Sequence, residues 1–261
     1  MRLRYTTFGY LYIMPGDDLH LTVDAMLKTG YSEEFCLATD FTPTFIAGLM
    51  EAGFLVMSCN ISEPAALPTA IPEEEPQYIL LPKLHITRSA LLFENLHVKK
   101  SIRRLLPRYE LCVDSDFDTI VNRCLEKHGD GWLTPPLLEA LKYIRYEYIH
   151  NKHEYTHNKH GDLGTGVVQP TSFALYHNGD LVAGEFGVIS GRVYTSYSGY
   201  YDEKNAGTIQ LIKTAEYLRD NEFAFFDLGM PLQYKNDLGA IDVSAEEFVK
   251  LYRAGTGKCR R

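Results

Sequence analysis

Five cations crowd into ten residues of the chain: Lys99, Lys100, Arg103, Arg104 and Arg108. The chain as a whole carries 26 Lys+Arg against 34 Asp+Glu, a formal net charge of −8, so it is no general binder of polyanions. Any grip on nucleic-acid phosphate must come from a local patch, and this stretch is the candidate. On a helix, positions 100, 103 and 104 share a face, and binding through them would weaken as salt rises. The plainer alternative is a solvated helix face. A second cluster is the repeat His150-Asn151-Lys152-His153 and His157-Asn158-Lys159-His160. Neutral imidazoles on one helix face suit zinc, copper or nickel. No run of carboxylates accompanies them, and Gly161, Gly164 and Gly166 follow, so a solvated extension or loop is expected, without a metal site. Cys36, Cys59, Cys112, Cys124 and Cys259 are odd in number, scattered and free of any Cys-x-x-Cys pattern, which predicts reduced thiols in a cytosolic protein. Asp227 closes the apolar run Phe223–Phe226, and a carboxylate at a strand end is well placed to handle a proton.

The elements that must position these groups can be read from local signals. Of the 261 residues, 45% are hydrophobic and 23% charged, the balance of an ordinary globular protein rather than a disordered or collagen-like chain. No apolar run reaches the ~18 residues of a membrane span, and the start Met1-Arg2-Leu3-Arg4 lacks the core and cleavage site of a secretory leader. Pro64, Pro68, Pro72 and Pro76 with Glu73-Glu74-Glu75 read as an exposed linker. It divides a small N-terminal domain, 1–75, from a larger one, 76–261. Thr42, Pro43 and Gly53 frame one helix, Asp116 and Gly129 another, and Thr134-Pro135-Pro136 opens a third. Asn178-Gly179 between two apolar runs signals a tight hairpin, and Ser190-Gly191 a second turn, so residues 172–198 form a three-stranded meander. An amphipathic helix over 205–220, a buried strand at 223–226 and a helix opened by the capping box at Ser244 complete the order. That order predicts an α/β (α+β) fold, a mixed sheet flanked by helices of the acetyltransferase-like (GNAT-like) kind.

Several stretches taken together resemble the leucyl/phenylalanyl-tRNA–protein transferase family. They are Asp40-Phe41-Thr42-Pro43, Leu96-His97, the run Gly131-Trp132-Leu133-Thr134-Pro135-Pro136-Leu137-Leu138-Glu139-Ala140, Leu181–Val188, Phe226-Asp227 and Leu238-Gly239-Ala240. The resemblance covers residues 40 to 253. It implies an aminoacyltransferase that moves an amino acid from the end of a charged tRNA to the N-terminal amine of a protein, as in N-degron tagging for degradation. The implied partners are aminoacyl-tRNA and a protein N-terminus, with no cofactor, no membrane, a cytoplasmic location and a monomeric state. Asp227 stands at the family's strand-end aspartate, a proton handler or amine orienter. Trp132, the only tryptophan, matches one that lines the pocket for the terminal adenosine, where stacking is worth about 1–3 kcal/mol per base; the alternative is a core anchor. The cations at 99–108 match those set against the acceptor arm.

The resemblance also marks departures. Tyr197, within Ser196-Tyr197-Ser198, replaces the family's glutamate beside the reacting groups, and a phenol is a poor base near neutral pH. Gly229 replaces a glutamine, and Thr171-Ser172-Phe173-Ala174 replaces His-Ser-x-Glu. In the pocket for the amino-acid side chain, Glu185 takes an apolar position, Thr214 that of a bulky aromatic, Gly199 that of a methionine and Tyr194 that of a phenylalanine. A slot for leucine or phenylalanine thus gains a carboxylate and room, which points to arginine as the transferred residue. Otherwise Glu185 pairs with Arg192, faces another strand or meets water. Two other functions compete. An acetyl-CoA-dependent N-acetyltransferase would need a glycine-rich turn for pyrophosphate, whereas Asp202-Glu203-Lys204-Asn205-Ala206-Gly207 is acidic with one glycine. A non-catalytic binder of tRNA or of protein N-termini would fit the depleted relay.

Overall fold

A two-residue loop of the commonest hairpin kind needs positive φ at both residues, which asparagine and glycine tolerate best. In the computed structural model, which describes residues 3–61, 78–155 and 168–257, Asn178 and Gly179 have φ of 54° and 90°. They join β5 (Val168–His177) to β6 (Asp180–Ser190), with His177 opposite Asp180. β7 (Val193–Tyr201) completes the meander in antiparallel register on β6. The strands run three or four residues beyond the predicted bounds at the outer ends.

The described residues form two compact units. One holds residues 1–86 with 130–154, the other residues 87–129 with 155–261. The Pro-rich stretch proposed as a boundary lies outside the described residues. The units are drawn otherwise because of long-range pairing within the first. There β1 (Leu55–Asn60) pairs antiparallel with β2 (Tyr78–Lys83), so residues beyond the stretch stay with those before it. α1 (Leu19–Thr29), which no strong sequence signal announced, is capped by Asp18 accepting from the Leu21 amide and closed by Gly30 at φ 65°. α2 (Pro43–Glu51) starts at the expected proline, although Thr42 makes no side-chain cap. α5 (Pro135–Tyr155) enters beside β1. The Ser58 amide donates to the Trp132 carbonyl at 2.9 Å, and the Thr134 amide donates to Ser58 Oγ at 3.1 Å.

The second unit is a seven-stranded mixed sheet in the order β4-β5-β6-β7-β8-β3-β9. Its further strands are β3 (Thr87–Leu91), β4 (Tyr109–Val113), β8 (Phe225–Gly229) and β9 (Ile241–Ser244). β7 and β8 pair in parallel, while all other neighbours are antiparallel. Side chains of a strand alternate between faces, and packing shows which helix each face meets. Phe186 on β6 meets Phe117 of α4 (Phe117–His128) edge-on, with centroids 6.0 Å apart. Phe225 on β8 meets Phe248 of α8 (Ala245–Gly255) at 6.2 Å. The opposite face carries α6 (Ala206–Asp220), where Phe173 meets Tyr217 at 5.6 Å. Tyr194, Phe226 and Leu228 pack there with Ile209, Ile212 and Ala215 as the buried core.

The last helix opens as expected. Ser244 Oγ accepts from the Glu247 amide at 3.3 Å and Glu247 Oε2 accepts from the Ser244 amide at 2.9 Å, a reciprocal capping box. Ser244→Ala is expected to destabilise the protein by about 1 kcal/mol, seen in a melting curve as a fall of about 2–4 °C. Asp116 is a different case. It precedes α4 at φ 53° with no side-chain cap, because its carboxylate accepts from the Tyr176 hydroxyl at 2.7 Å.

Candidate functional site

β7 and β8 share only three register pairs: Val193 with Phe225, Tyr194 with Phe226, and Thr195 with Asp227. Beyond Thr195, β7 runs on to Tyr201 without β8 beside it. The two strands therefore part at Asp227, and the groups at the point of parting are the candidate site.

Asp227 points into the protein. It is 0% exposed and Arg88, on β3, is 1% exposed. Arg88 Nε donates to Oδ1 at 2.9 Å and Nη2 to Oδ2 at 2.6 Å, a fork-on-fork pair. Thr195 Oγ1 donates to Oδ2 at 2.8 Å and the Gly229 amide returns to Oδ1 at 3.1 Å. That return requires φ of 73° at Gly229, where a glutamine would be strained. The guanidinium also lies 4.2 Å from the centre of the Phe248 ring, on the α8 face. Four donors thus occupy a carboxylate that its sequence position cast as a proton handler. Arg88 and Thr195 were missed. The available signal was an arginine inside the strand-like run Thr87-Arg88-Ser89-Ala90-Leu91, since a buried cation needs an anion.

Glu185 lies on β6, on the other face of the sheet, and is 2% exposed. Its register partners are Phe173 and Gly199. Ser196 Oγ donates to Oε2 at 2.9 Å, whereas Oε1 has no hydrogen-bond partner. Burial pushes the carboxyl up from 4.5 to about 7, with the Ser196 and Thr214 hydroxyls and the Lys235 ammonium pulling the other way. Thr214, buried on α6, accepts from Gln210 Nε2 at 3.0 Å. Tyr194 is fully buried, and its hydroxyl has no partner either. The close approach of its ring to β6 needs Gly187, where a Cβ would lie 2.8 Å from the ring and 2.1 Å from the Thr195 carbonyl oxygen. Of the alternatives, Glu185 does not meet water, being buried, while Arg192 is exposed and donates through Nε to the Glu222 carbonyl at 2.7 Å.

Lys235, on α7 (Gln233–Asp237), is the group that feels both faces. Its Nζ donates to the carbonyls of Leu228 and Met230 at 2.5 and 2.8 Å. Burial above all, with the nearby Arg88 and against the pull of Asp227, Glu185 and Asp242, lowers it from 10.5 to about 8. Nothing in the sequence singled it out, because a lysine in a short polar helix ordinarily reads as solvated.

The structure thus brings Glu185, Tyr194, Thr214 and Ser196 together on the α6 face. It sets Asp227 and Gly229 around Arg88, and Tyr197 half-buried with its ring 6.3 Å from Phe186 on the α4 face. Trp132, half-buried, belongs to the first unit. The cations at 99–108 are all exposed, and the three expected on one helix face, 100, 103 and 104, fall on one short turn and its C-cap. α3 (Lys100–Arg103) is a single turn, and Pro107 sits in a separate 3-10 turn at Leu106–Arg108. Lys99 is also tied to Asp237 at 3.2 Å. Of the histidine repeat, only His150 lies among the residues whose side chains are described. It stacks on Tyr146 with centroids 3.8 Å apart. Among the described residues no group of three or more His, Cys, Asp or Glu could hold a metal, and no helix is long and apolar enough to cross a membrane. Cys36, Cys59, Cys112 and Cys124 are free thiols, and burial pushes Cys124 up to about 12; Cys259 lies outside the described residues.

Residues 90–253 match the family model described as leucyl/phenylalanyl-tRNA protein transferase. The chain belongs to this family. The relative from Pseudomonas paraeruginosa, named leucyl/phenylalanyl-tRNA–protein transferase, is 28% identical over 166 residues, 62% of this chain and 65% of its own length. One of the same name from Campylobacter jejuni is 22% identical over 214 residues, 81% of this chain and 84% of its own. The match thus spans just under two thirds of the first relative. A solved structure from Agrobacterium fabrum, a C-terminal domain (DUF2156), is 10% identical, covers 99% of this chain and 90% of that one, and has a TM-score of 0.42, too slight a likeness to carry an argument.

Proposed function

We propose that this chain is an aminoacyltransferase that moves an amino acid from the 3′ end of a charged tRNA to the N-terminal α-amine of a protein. The observation that carries the reading is the family match over residues 90–253. The reaction asks little covalent help of the protein. An aminoacyl ester is already activated and a neutral amine is a good nucleophile, so alignment can supply about 7–11 kcal/mol of the barrier. A pair of parallel strands that parts at a buried carboxylate offers backbone groups and side chains for that alignment. In this reading Asp227 is a positioning residue. It fixes Arg88, Thr195 and the Gly229 amide, rather than taking the proton of the amine itself. Tyr197 donates a hydrogen bond to the reacting groups. The reading also takes the sheet as acetyltransferase-like, with a smaller N-terminal domain carrying Trp132, and places the protein in the cytoplasm with its charged tRNA.

Labelled aminoacyl-tRNA incubated with a peptide bearing a free N-terminus tests this. Transfer of label to the peptide is expected. An unmodified peptide beside intact protein and charged tRNA would leave a binding role, and thioester release from acetyl-CoA would indicate an N-acetyltransferase.

The exposed cations at 99–108 are the proposed grip on tRNA phosphate. Arg103→Ala with Arg104→Ala is expected to weaken tRNA binding and to flatten its salt dependence. The slope of log affinity against log salt should fall by about 0.7–0.9 for each phosphate that the variant no longer neutralises. Filter binding across salt concentrations measures it, and an unchanged slope would place the phosphate grip elsewhere.

A further inference from the structure

Three buried polar atoms on the α6 face have no hydrogen-bond partner: Glu185 Oε1, Gln210 Oε1 and the Tyr194 hydroxyl. Hydroxyls link the first two, and the third lies within electrostatic reach of Glu185. Gln210 donates through Nε2 to Thr214. Thr214 acts on Glu185, as does Ser196, while Glu185 acts electrostatically on Tyr194. Ser196 is the first residue of β7 past its last register pair with β8, so the group adjoins the place where the strands part. Buried polar atoms are nearly always satisfied, and a set left open in one place marks a missing partner. Gln210 Oε1 is an acceptor, and Glu185 Oε1 is one whenever the carboxyl is ionised. The complement of such a set is a group made only of donors and carrying positive charge.

We infer that this cluster is a binding site for a cationic side chain, a guanidinium or an ammonium, with Glu185 as its specificity-determining residue. The inference rests on the proposed aminoacyl transfer and names its substrate class: the amino acid carried by the tRNA is basic, with arginine favoured. A guanidinium has five donors in a planar fork, so it can serve the carboxylate of Glu185 and have donors to spare for a second acceptor. Lys235 is the cation of the protein itself that acts on Glu185, but its Nζ donates to the carbonyls of Leu228 and Met230. Gly199 lies across from Glu185, and a Cβ there would sit 3.2 Å from Glu185 Cβ. A larger residue at 199 would press on the carboxylate side chain, so the glycine suits its placement.

The experiment offers the full chain arginyl-, lysyl-, leucyl- and phenylalanyl-tRNA with one acceptor peptide, alongside Glu185→Gln and Glu185→Met. The wild type is expected to transfer arginine or lysine at least tenfold faster than leucine or phenylalanine. Both variants should lose at least tenfold on the basic donors, and Glu185→Met should gain on leucine. Calorimetry with argininamide and leucinamide reads the same preference without chemistry, and Glu185→Gln, nearly isosteric, guards against loss of folding. If the wild type transfers leucine or phenylalanine alone, or if the variants keep its donor ratio, internal water satisfies the cluster and the inference is wrong while the transferase reading stands. If no donor is used and neither amide binds, the transferase reading falls and takes the inference with it.

Discussion

Asp227→Ala should destabilise the protein by about 3–5 kcal/mol, the largest loss expected of any single polar substitution here. The reason is the partner it leaves behind. Arg88 is 1% exposed, and its Nε and Nη2 would lose their acceptors with no route to water. The Thr195 hydroxyl and the Gly229 amide would lose theirs as well. Asp227→Asn is nearly isosteric but turns a donor toward a guanidinium that is all donor, so it should sit close to alanine. Arg88→Lys keeps the charge and loses the fork. The double variant Arg88→Met with Asp227→Leu should recover part of the loss, because it removes the unpaired buried cation, while the Thr195 hydroxyl and the Gly229 amide stay without their acceptor. Denaturant midpoints of the four proteins measure this. If the single alanine variant came within about 1 kcal/mol of wild type, the pair would not be holding β3 to β8. The double variant also separates structure from function. A folded protein that no longer transfers would make Asp227 necessary for positioning the reaction, and one that transfers normally would make it a strut.

What could be read from the residues alone follows the range of the forces involved. The meander was legible because Asn178-Gly179 dictates its own turn and so the register of both strands. The last helix was legible because a capping box is a signal four residues long. β3 was not. It lies between β8 and β9, and its salt bridge to β8 joins residues 139 apart in sequence, so its partners are set at long range and no local signal names them. Arg108 falls outside the turn that carries Lys100 and Arg103, in a separate 3-10 segment at Leu106–Arg108 whose Pro107 cannot continue the helix. Resemblance drew Glu185, Tyr194, Thr214 and Asp227 into one candidate set, yet their sides of the sheet were not foreseen. Glu185 and Asp227 face opposite ways because strand side chains alternate, and the register that decides which way each points arises from pairing with distant strands. The orphaned acceptors at 185 and 210 are a property of packing and have no sequence signature at all.

The pH dependence of stability should carry the mark of Glu185. Its folded value is raised from 4.5 to about 7 by burial. Between those values the unfolded chain has released a proton that the folded chain still holds, so stability falls as pH rises. The contribution is present in full below pH 4.5, fades through pH 7 and stays lost above it. A shift of that size on a fully buried group amounts to about 3 kcal/mol. Glu185→Gln removes the titration, so the difference in unfolding free energy between wild type and variant should move by about 3 kcal/mol against the wild type from about pH 4 to about pH 8. Lys235 acts in a separate window with the opposite slope. Its folded value is depressed from 10.5 to about 8, so its contribution is present above 10.5 and lost as pH falls through 8. Lys235→Met should therefore keep the Glu185 window but move its upper edge upward, since the ammonium is one of the groups holding Glu185 down. Urea titrations at intervals across the same range read both effects. A wild-type-to-Gln difference that stays flat over that range would mean Glu185 is already ionised and paired in the folded protein. Its Oε1 would then be met from within, leaving no open acceptor for a basic side chain to engage.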